Sequence, residues 1–306
     1  MEGLADFYVR QALTDIGGFD WCVTEFVRVS GTLLPPKTFY RWCPELRTGA
    51  RTRAGTSVHV QLLGSDPQCM AENAARAAEL GAPAIDLNFG CPAKTVNRHR
   101  GGAVLLDEPE LVHQVVAAVR NAVPKHLPVS AKMRLGNCHG EFAAENARAI
   151  EAAGASWLTV HGRTKVQGYK PPAYWDQIAL LREAIAIPVI ANGEIWTADD
   201  ARRCAQESQC DLLMLGRGAV SDPFLAQRIR KNSTADWADV RVCLLKFVED
   251  CLPTSTDLQL AGRLKQWMNY LRRDWPQAQA LYDVIKRCKS SADIAMHIER
   301  FVDIAA

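Results

Sequence analysis

From residue 57 onward, short apolar or β-branched runs alternate with longer stretches of helical, 3.6-residue periodicity. SVHVQLLG at 57–64 precedes an amphipathic segment through MAENAARAAELG, and AIDLN at 84–88 precedes a long loop and a helix from Pro109 to Val123. PVSAKMRLG at 128–136, SWLTVHG at 156–162, IPVIANGE at 187–194 and DLLMLGRG at 211–218 continue the series. These runs read as continuously apolar, the pattern of parallel strands covered on both faces. Gly81 and Gly154 close two of the helices as C-terminal caps. With WCVTEF at 21–26 the count is seven strands, one short of a closed (β/α)8 barrel. An open parallel barrel exposes two unpaired edges, so the sequence predicts a missing strand before the helix at 5–16 and a natural start upstream of Met1.

After Pro223 the strand-like runs stop. Residues 236–304 show helical periodicity alone, with Trp237, Leu245, Leu264, Trp267, Leu271 and Ile285 as expected core positions. The predicted fold class is α/β. A TIM barrel lacking its first strand spans residues 1–232, and an all-helical domain follows over 233–306.

Composition narrows the function classes. Apolar residues make up 48% of the 306 and charged residues 23%, which excludes a disordered or fibrous chain. No run approaches the ~18 apolar residues of a membrane-spanning helix, and the opening MEGLADFYVRQ has acids where a signal peptide has bases. Ten cysteines in such a chain read as free thiols of the reducing cytoplasm. A monomer is compatible with all of this.

The net charge of +2 conceals segregation. Residues 26–53 are net +5, 94–100 net +3 and 262–290 net +5, so the remainder is acidic. One basic run is an ordinary solvated face; three runs interleaved with aromatics point equally well to a polyanionic partner.

In a barrel of this kind the active site lies where strands end, with phosphate commonly held at the last two loops. Asn192-Gly193-Glu194 and Gly216-Arg217 occupy those places, where glycines admit backbone N–H groups to phosphate oxygens and Arg217 adds charge. Gln61, Asn88, Lys132, Arg134, His161 and Arg163 fall near other strand ends. A lysine inside an apolar strand calls for an anionic neighbour, either an acidic side chain or a ligand. His161 is readable as a core histidine or as a ligand contact. Cys91, held between Gly90 and Pro92 at the mouth of the barrel, is readable as an inert buried thiol or as a reactive one. No second Cys or His stands near it at zinc spacing, so no metal is expected.

The strings LNFGCPAKTVNRHRGGAVLL, AKMRLG, VHGRTKVQGY, IPVIANGEI and LMLGRGA occur in one order, and throughout residues 1–230 the chain resembles the tRNA-dihydrouridine synthases. WCVTEFVRVSGTLLP and GRLKQWMNYLRRDW are similar to the bacterial C branch, which acts on uridine 16. Met1-Glu2-Gly3 resembles the end of the family's Pro-Met-Glu-Gly loop, whose Pro is absent here. The resemblance implies a barrel that binds FMN, with NADPH or NADH as reductant and tRNA as partner. It implies flavin contacts at Met1, Glu2, Gln61, Lys132 and His161, and phosphate contacts at Asn192, Gly193, Glu194, Gly216 and Arg217. Arg28, Asn88, Arg134, Arg263, Lys265 and Lys286 would meet tRNA, and Cys91 would be the proton donor. Hydride addition at C6 of uracil leaves an enolate-like C5, which a protonated thiol can quench from the opposite side. Two other readings stand beside this one: a flavin barrel acting on a free pyrimidine, and a non-catalytic tRNA-binding protein.

Overall fold

In the computed structural model, which describes residues 1–301, the apolar runs form parallel strands in the order in which the chain visits them. The strands are β1 (Trp21–Val23), β2 (Val27–Arg28), β3 (Ser57–Leu63), β4 (Ile85–Phe89), β5 (Val129–Arg134), β6 (Leu158–His161), β7 (Val189–Asn192) and β8 (Leu212–Met214). Pairing runs β1-β3-β4-β5-β6-β7-β8, with β2 also on β3. This unreversed order is that of a singly wound barrel; a doubly wound sheet would reverse at a switch point.

The single strand expected at 21–26 is broken in two. Val23 pairs with His59 and Val27 with Leu62, so the first strand holds one residue more than its partner between these pairs. The result is a β-bulge at Thr24–Phe26, which re-aims side chains beside the strand ends. Thr24 N donates to His59 O at 3.0 Å, and Gln61 N donates to the Thr24 hydroxyl at 3.0 Å, so backbone groups displaced by the bulge keep partners. The buried Glu25 carboxylate inside the bulge accepts from Gly3 N, which ties the N-terminal turn to it.

The strands also alternate where a continuous apolar run was expected. Val58, Val60 and Leu62, then Ile85, Leu87 and Phe89, then Val129, Ala131 and Met133 point one way and are buried. That face meets helices such as Pro67–Glu79 and Pro109–Ala122, whose buried residues are apolar apart from Asn73. The other face carries His59 and Gln61, Asp86 and Asn88, Ser130, Lys132 and Arg134. Asp86 and Ser130, short polar side chains inside AIDLN and PVSAKMRLG, read as part of the apolar runs.

The chain divides into two compact units. The first comprises Met1–Phe7, Asp20–Ile195 and Asp199–Leu215; the second comprises Tyr8–Phe19, Trp196–Ala198 and the chain from Gly216 onward. The helices Arg217–Ser221 and Leu225–Lys231, expected with the barrel, group with the helical unit. That unit also contains Trp237–Cys251, Asp257–Leu271, Pro276–Ile285 and Ser291–Arg300. Asp236 with Asp239, and Thr256 with Gln259, form reciprocal capping boxes that start two of these helices. Trp237, Leu264, Trp267, Leu271 and Ile285 are buried as expected. Leu245 is half-buried instead, because Leu244 takes the inward position with Val240, Phe247, Val248 and Cys251. Positions 302–306 of the expected helical domain lie outside the described residues. Among the described residues no helix is long and apolar enough to cross a membrane.

Candidate functional site at the strand ends

Register brings the polar face together in layers. Gln61 pairs with Asp86 and Asp86 with Ser130; Asn88 pairs with Lys132 and Lys132 with Thr159; Arg134 pairs with His161 and His161 with Asn192. Residues paired in a parallel sheet stand on the same face, so the six expected site residues Gln61, Asn88, Lys132, Arg134, His161 and Asn192 share one surface with Asp86, Ser130 and Thr159.

The lower layer is a hydrogen-bonded chain. Gln61 Nε2 donates to Asp86 Oδ2 at 2.7 Å and Ser130 Oγ donates to Asp86 Oδ1 at 2.7 Å. Asn88 Nδ2 donates to Gln61 Oε1 at 2.7 Å, and Asn88 Oδ1 accepts from Gly90 N at 2.9 Å. Burial raises the Asp86 carboxyl above its ordinary range, against the donors and the nearby Lys132 charge. Burial also lowers Lys132, to about 8, helped by Arg134 and opposed by Asp86. The Lys132 ammonium makes no hydrogen bond or ion pair with the described residues, so the acidic side chain that would have explained it structurally acts only through space.

Cys91 follows Gly90 on the loop after β4 and is buried. Its thiol packs with Phe26, Leu63 and Val96. Its carbonyl accepts from Ala103 N at 3.1 Å and Asn97 Nδ2 at 3.0 Å. Burial raises its pKa above the ordinary thiol value. A backbone hydrogen bond at Ala93 and the Arg134 charge pull the other way, and Glu2 adds to the rise. The thiol is therefore held protonated at neutral pH. The influence of Glu2 also places the N-terminal turn within electrostatic reach of Cys91; Met1 caps that turn through its carbonyl, which accepts from Leu4 N and Ala5 N.

Arg134 does not project freely toward a substrate. Its Nε donates to Gly90 O at 2.9 Å, and Nη1 donates to Thr164 O at 3.1 Å and Gly168 O at 2.9 Å. It braces the Cys91 loop against the loop after β6. The Tyr169 ring covers its guanidinium at 5.2 Å and meets His161 edge-on at 6.3 Å, with more than half of Tyr169 exposed.

Around the last strands, Asn192 Nδ2 donates to Met214 O at 2.7 Å. Gly193 adopts a left-handed φ of 113°, and a Cβ there would lie 3.2 Å from His161 Nε2. Glu194, also at positive φ, pairs with the fully buried Arg163. Arg163 Nε donates to Pro172 O at 3.0 Å, while its buried Nη1 has no partner.

Gly216 and Arg217 belong to the second unit, where Gly216 precedes Arg217–Ser221 and Arg217 lies 5.1 Å over the Trp196 ring. Of the expected tRNA contacts, exposed Arg28 donates to Thr95 O at 3.2 Å in the first unit. In the second, Lys265 donates to Cys288 O and Lys286 pairs with Asp283 at 2.8 Å; Arg263 lies on the helix Asp257–Leu271. Aromatic interleaving of the first basic window takes the form of guanidinium stacks, Arg47 over Tyr40 at 4.4 Å and Arg41 over Trp42 at 5.7 Å.

Sequence reasoning gave no role to Asp86, Tyr169 or Glu25, and none to Arg163 beyond its place at a strand end. The argument applied to Lys132, that a charge in an apolar strand needs a partner, applies equally to Asp86 in AIDLN and would have found it.

The family model described as dihydrouridine synthase matches residues 1–291. The chain is 54% identical over 293 residues to the tRNA-dihydrouridine(16) synthase of Aquipseudomonas alcaligenes, covering 94% of this chain and 93% of that protein. It is 52% identical over 304 residues to the protein of that name from Ralstonia nicotianae, covering 98% and 93%. Against the one from Escherichia coli O157:H7 the identity is 48% over 301 residues, covering 98% and 95%. Among solved structures, histamine dehydrogenase from Rhizobium sp. 4-9 is similar with a TM-score of 0.55 at 15% identity; the match covers 79% of this chain but only 46% of that longer one. A variant of NCR from Zymomonas mobilis is similar with a TM-score of 0.52 at 14% identity, covering 76% and 83%. These structural likenesses concern the fold.

Proposed function

The chain belongs to the dihydrouridine synthase family, and from that premise we propose that it reduces uridine 16 of tRNA to 5,6-dihydrouridine, using bound FMN and a reduced nicotinamide dinucleotide, NADPH or NADH. The substrate and position come from the names of relatives at about half identity over nearly the whole chain, which weigh against a free pyrimidine and against a non-catalytic role. We place the reaction in the cytoplasm, on the evidence of the free thiols.

The first unit's residues fit a flavin. An ammonium without a hydrogen-bonded partner at Lys132 suits an electron-rich ring edge. The Gly193 position, where a Cβ would crowd His161, leaves backbone open to a phosphate or ribityl chain. Gln61, Lys132 and His161 would hold the ring, with Met1 and Glu2 beside it, and Asn192, Gly193 and Glu194 the phosphate end; Gly216 and Arg217 are assigned to phosphate on their motif alone. When bound, the flavin supplies the hydride that adds at C6 of the uracil.

The chain's own residues do the rest. Cys91 Sγ holds a proton at neutral pH and delivers it to C5, and its raised pKa keeps it an acid through the working range. Asn88 and the half-exposed Tyr169 ring orient the base, the ring offering a stacking face to a nucleotide drawn out of its helix. Arg134 fixes the Cys91 loop through Gly90 O. Arg28, Arg263, Lys265 and Lys286 supply charge for the tRNA backbone.

The observation that carries this reading is a buried thiol, its pKa raised by that burial, one residue from the end of a hydrogen-bonded chain rooted in the strand layer. The test is incubation of the purified flavoprotein with an unmodified tRNA transcript and NADPH. Nucleoside mass spectrometry should detect dihydrouridine at position 16; yellow protein that leaves the transcript unmodified at every position would reject the proposal.

A further inference from the structure

Two ends of the Asp86–Gln61–Asn88–Gly90 chain have fixed hydrogen-bonding character. A backbone N–H can only donate, so Gly90 N makes Asn88 present Oδ1 to it at 2.9 Å. Asn88 must then turn Nδ2 toward Gln61, Gln61 must meet it with Oε1, and Gln61 is left with Nε2 facing Asp86, 2.7 Å away. Asp86 closes the chain because Oδ2 accepts. The direction holds whether the carboxyl is charged or carries a proton on Oδ1, where Ser130 Oγ stands at 2.7 Å. Side-chain amides that would otherwise flip are thereby locked in one sense. One N–H of Asn88 remains available as a donor, at the residue immediately before the Gly90-Cys91 loop.

Resting on the reading above, we propose that Asp86 is a positioning residue that, as the acceptor end opposite Gly90 N, locks the hydrogen-bond polarity of the base pocket, keeping Asn88 a donor to a pyrimidine carbonyl and so favouring uracil over a base that presents an amino group there. Asp86 touches neither base nor flavin in this scheme; it acts through Gln61. A carbonyl conjugated to the reduced double bond gains negative charge as hydride adds, so a donor fixed in advance contributes most in the transition state.

An asparagine at 86 is nearly the same size but can turn its NH2 toward Gln61, which releases Gln61 and Asn88 to flip and leaves Gly90 N facing a donor. Steady-state kinetics on the tRNA transcript, flavin content by absorbance and thermal unfolding are read for four proteins: wild type, Asp86→Asn, Asp86→Asn with Asn88→Asp, and Ser130→Ala. The expected result for Asp86→Asn is bound flavin with kcat/KM down roughly 100-fold, mainly in kcat, the size of effect seen on losing one oxyanion donor. The double variant satisfies every group again with reversed polarity, so it should regain melting temperature but not activity. Ser130→Ala removes a bond to Asp86 without changing direction; it should lower the melting temperature and leave kcat/KM within about threefold.

Wild-type kcat/KM in Asp86→Asn would overturn the proposal, as would a double variant that recovers activity along with stability, or a Ser130→Ala protein as inactive as Asp86→Asn. Should Asp86→Asn not fold, the double variant carries the comparison. An inactive wild type would instead count against the parent reading, so the two failures are distinct.

Discussion

Gly102 packs directly on Cys91: a Cβ at 102 would lie 2.7 Å from the Cys91 carbonyl oxygen and 3.0 Å from Cys91 Cβ, and Gly102 has a left-handed φ of 70°. Any side chain there must push the backbone that carries the thiol. Gly102→Ala should therefore lower turnover by at least tenfold while leaving Cys91 chemically intact. The backbone conformation alone should cost about 1 kcal/mol. Titration of accessible thiols alongside tRNA reduction checks it, and unaltered turnover would show that the loop absorbs the clash.

If Cys91 is the acid, Cys91→Ala should abolish dihydrouridine formation and keep the yellow colour. The pH profile carries more information. A raised thiol pKa leaves the acid form populated to higher pH than a free cysteine, so the alkaline fall in kcat should lie above the ordinary value of about 8.5. A fall centred near pH 7 would mean a thiolate-stabilising site, the opposite of what burial among Phe26, Leu63 and Val96 produces.

His59 stands on the same strand face, near the start of β3, stacked on Trp21 at 5.5 Å and close to Trp157 at 5.8 Å. Its buried Nδ1 has no partner, and burial lowers its pKa from 6.5 to about 4. The unfolded chain binds this proton between those two values and the folded one does not, so stability is lost as pH falls from 6.5 toward 4. Between pH 8 and pH 5 the loss should be about 2 kcal/mol. Urea unfolding of the wild type against His59→Phe, which keeps an aromatic ring in the stack, should show that difference; parallel pH dependence in both would assign the acid sensitivity elsewhere.

Strand order and the positions of Lys132, His161 and Asn192 were legible in the sequence, since apolar runs and charged exceptions within them are local facts. The bulge at Thr24–Phe26 was not, because it exists only as a mismatch between two strands in register. The same holds for the Asp86 chain, whose members lie on three strands and on the loop after β4. Arg134 shows what a strand-end charge leaves open: the sequence places it beside the site, but only the structure shows Nε and Nη1 engaged with Gly90, Thr164 and Gly168 across two loops. Leu244 and Leu245 differ by one helical position, which periodicity alone does not resolve.

The ion pair of Arg163 with Glu194 is asymmetric: the guanidinium side chain is fully buried, whereas the carboxylate keeps 20% exposure. Removing the carboxylate strands a buried charge, and removing the arginine leaves an anion that water can reach. Glu194→Ala should accordingly cost about 3–5 kcal/mol, and Arg163→Met distinctly less. Because Glu194 follows Gly193 in the same positive-φ turn, both variants should also weaken FMN binding, measured by flavin fluorescence. Equal destabilisation by the two substitutions would contradict the asymmetry.

Ionic strength separates the two ligands proposed for this chain. Phosphates of tRNA are neutralised by lysines and arginines that release counterions, so log(kcat/KM) for tRNA should fall linearly with log[salt], with a slope near −0.7 to −0.9 per phosphate contact. In the proposed site the flavin would be held by neutral hydrogen-bonding groups and a few charges out of bulk solvent, where screening is weak. Its dissociation constant should change by less than about threefold between 50 and 200 mM salt, a range over which several phosphate contacts would lower tRNA affinity by orders of magnitude. Arg28→Ala and Arg263→Ala should each reduce the slope by about one unit and leave flavin binding unchanged. Lys286 is already paired with Asp283, so its replacement should change the slope less than that of exposed Arg28. A salt slope unchanged from wild type in all three variants would mean that these side chains do not meet phosphate.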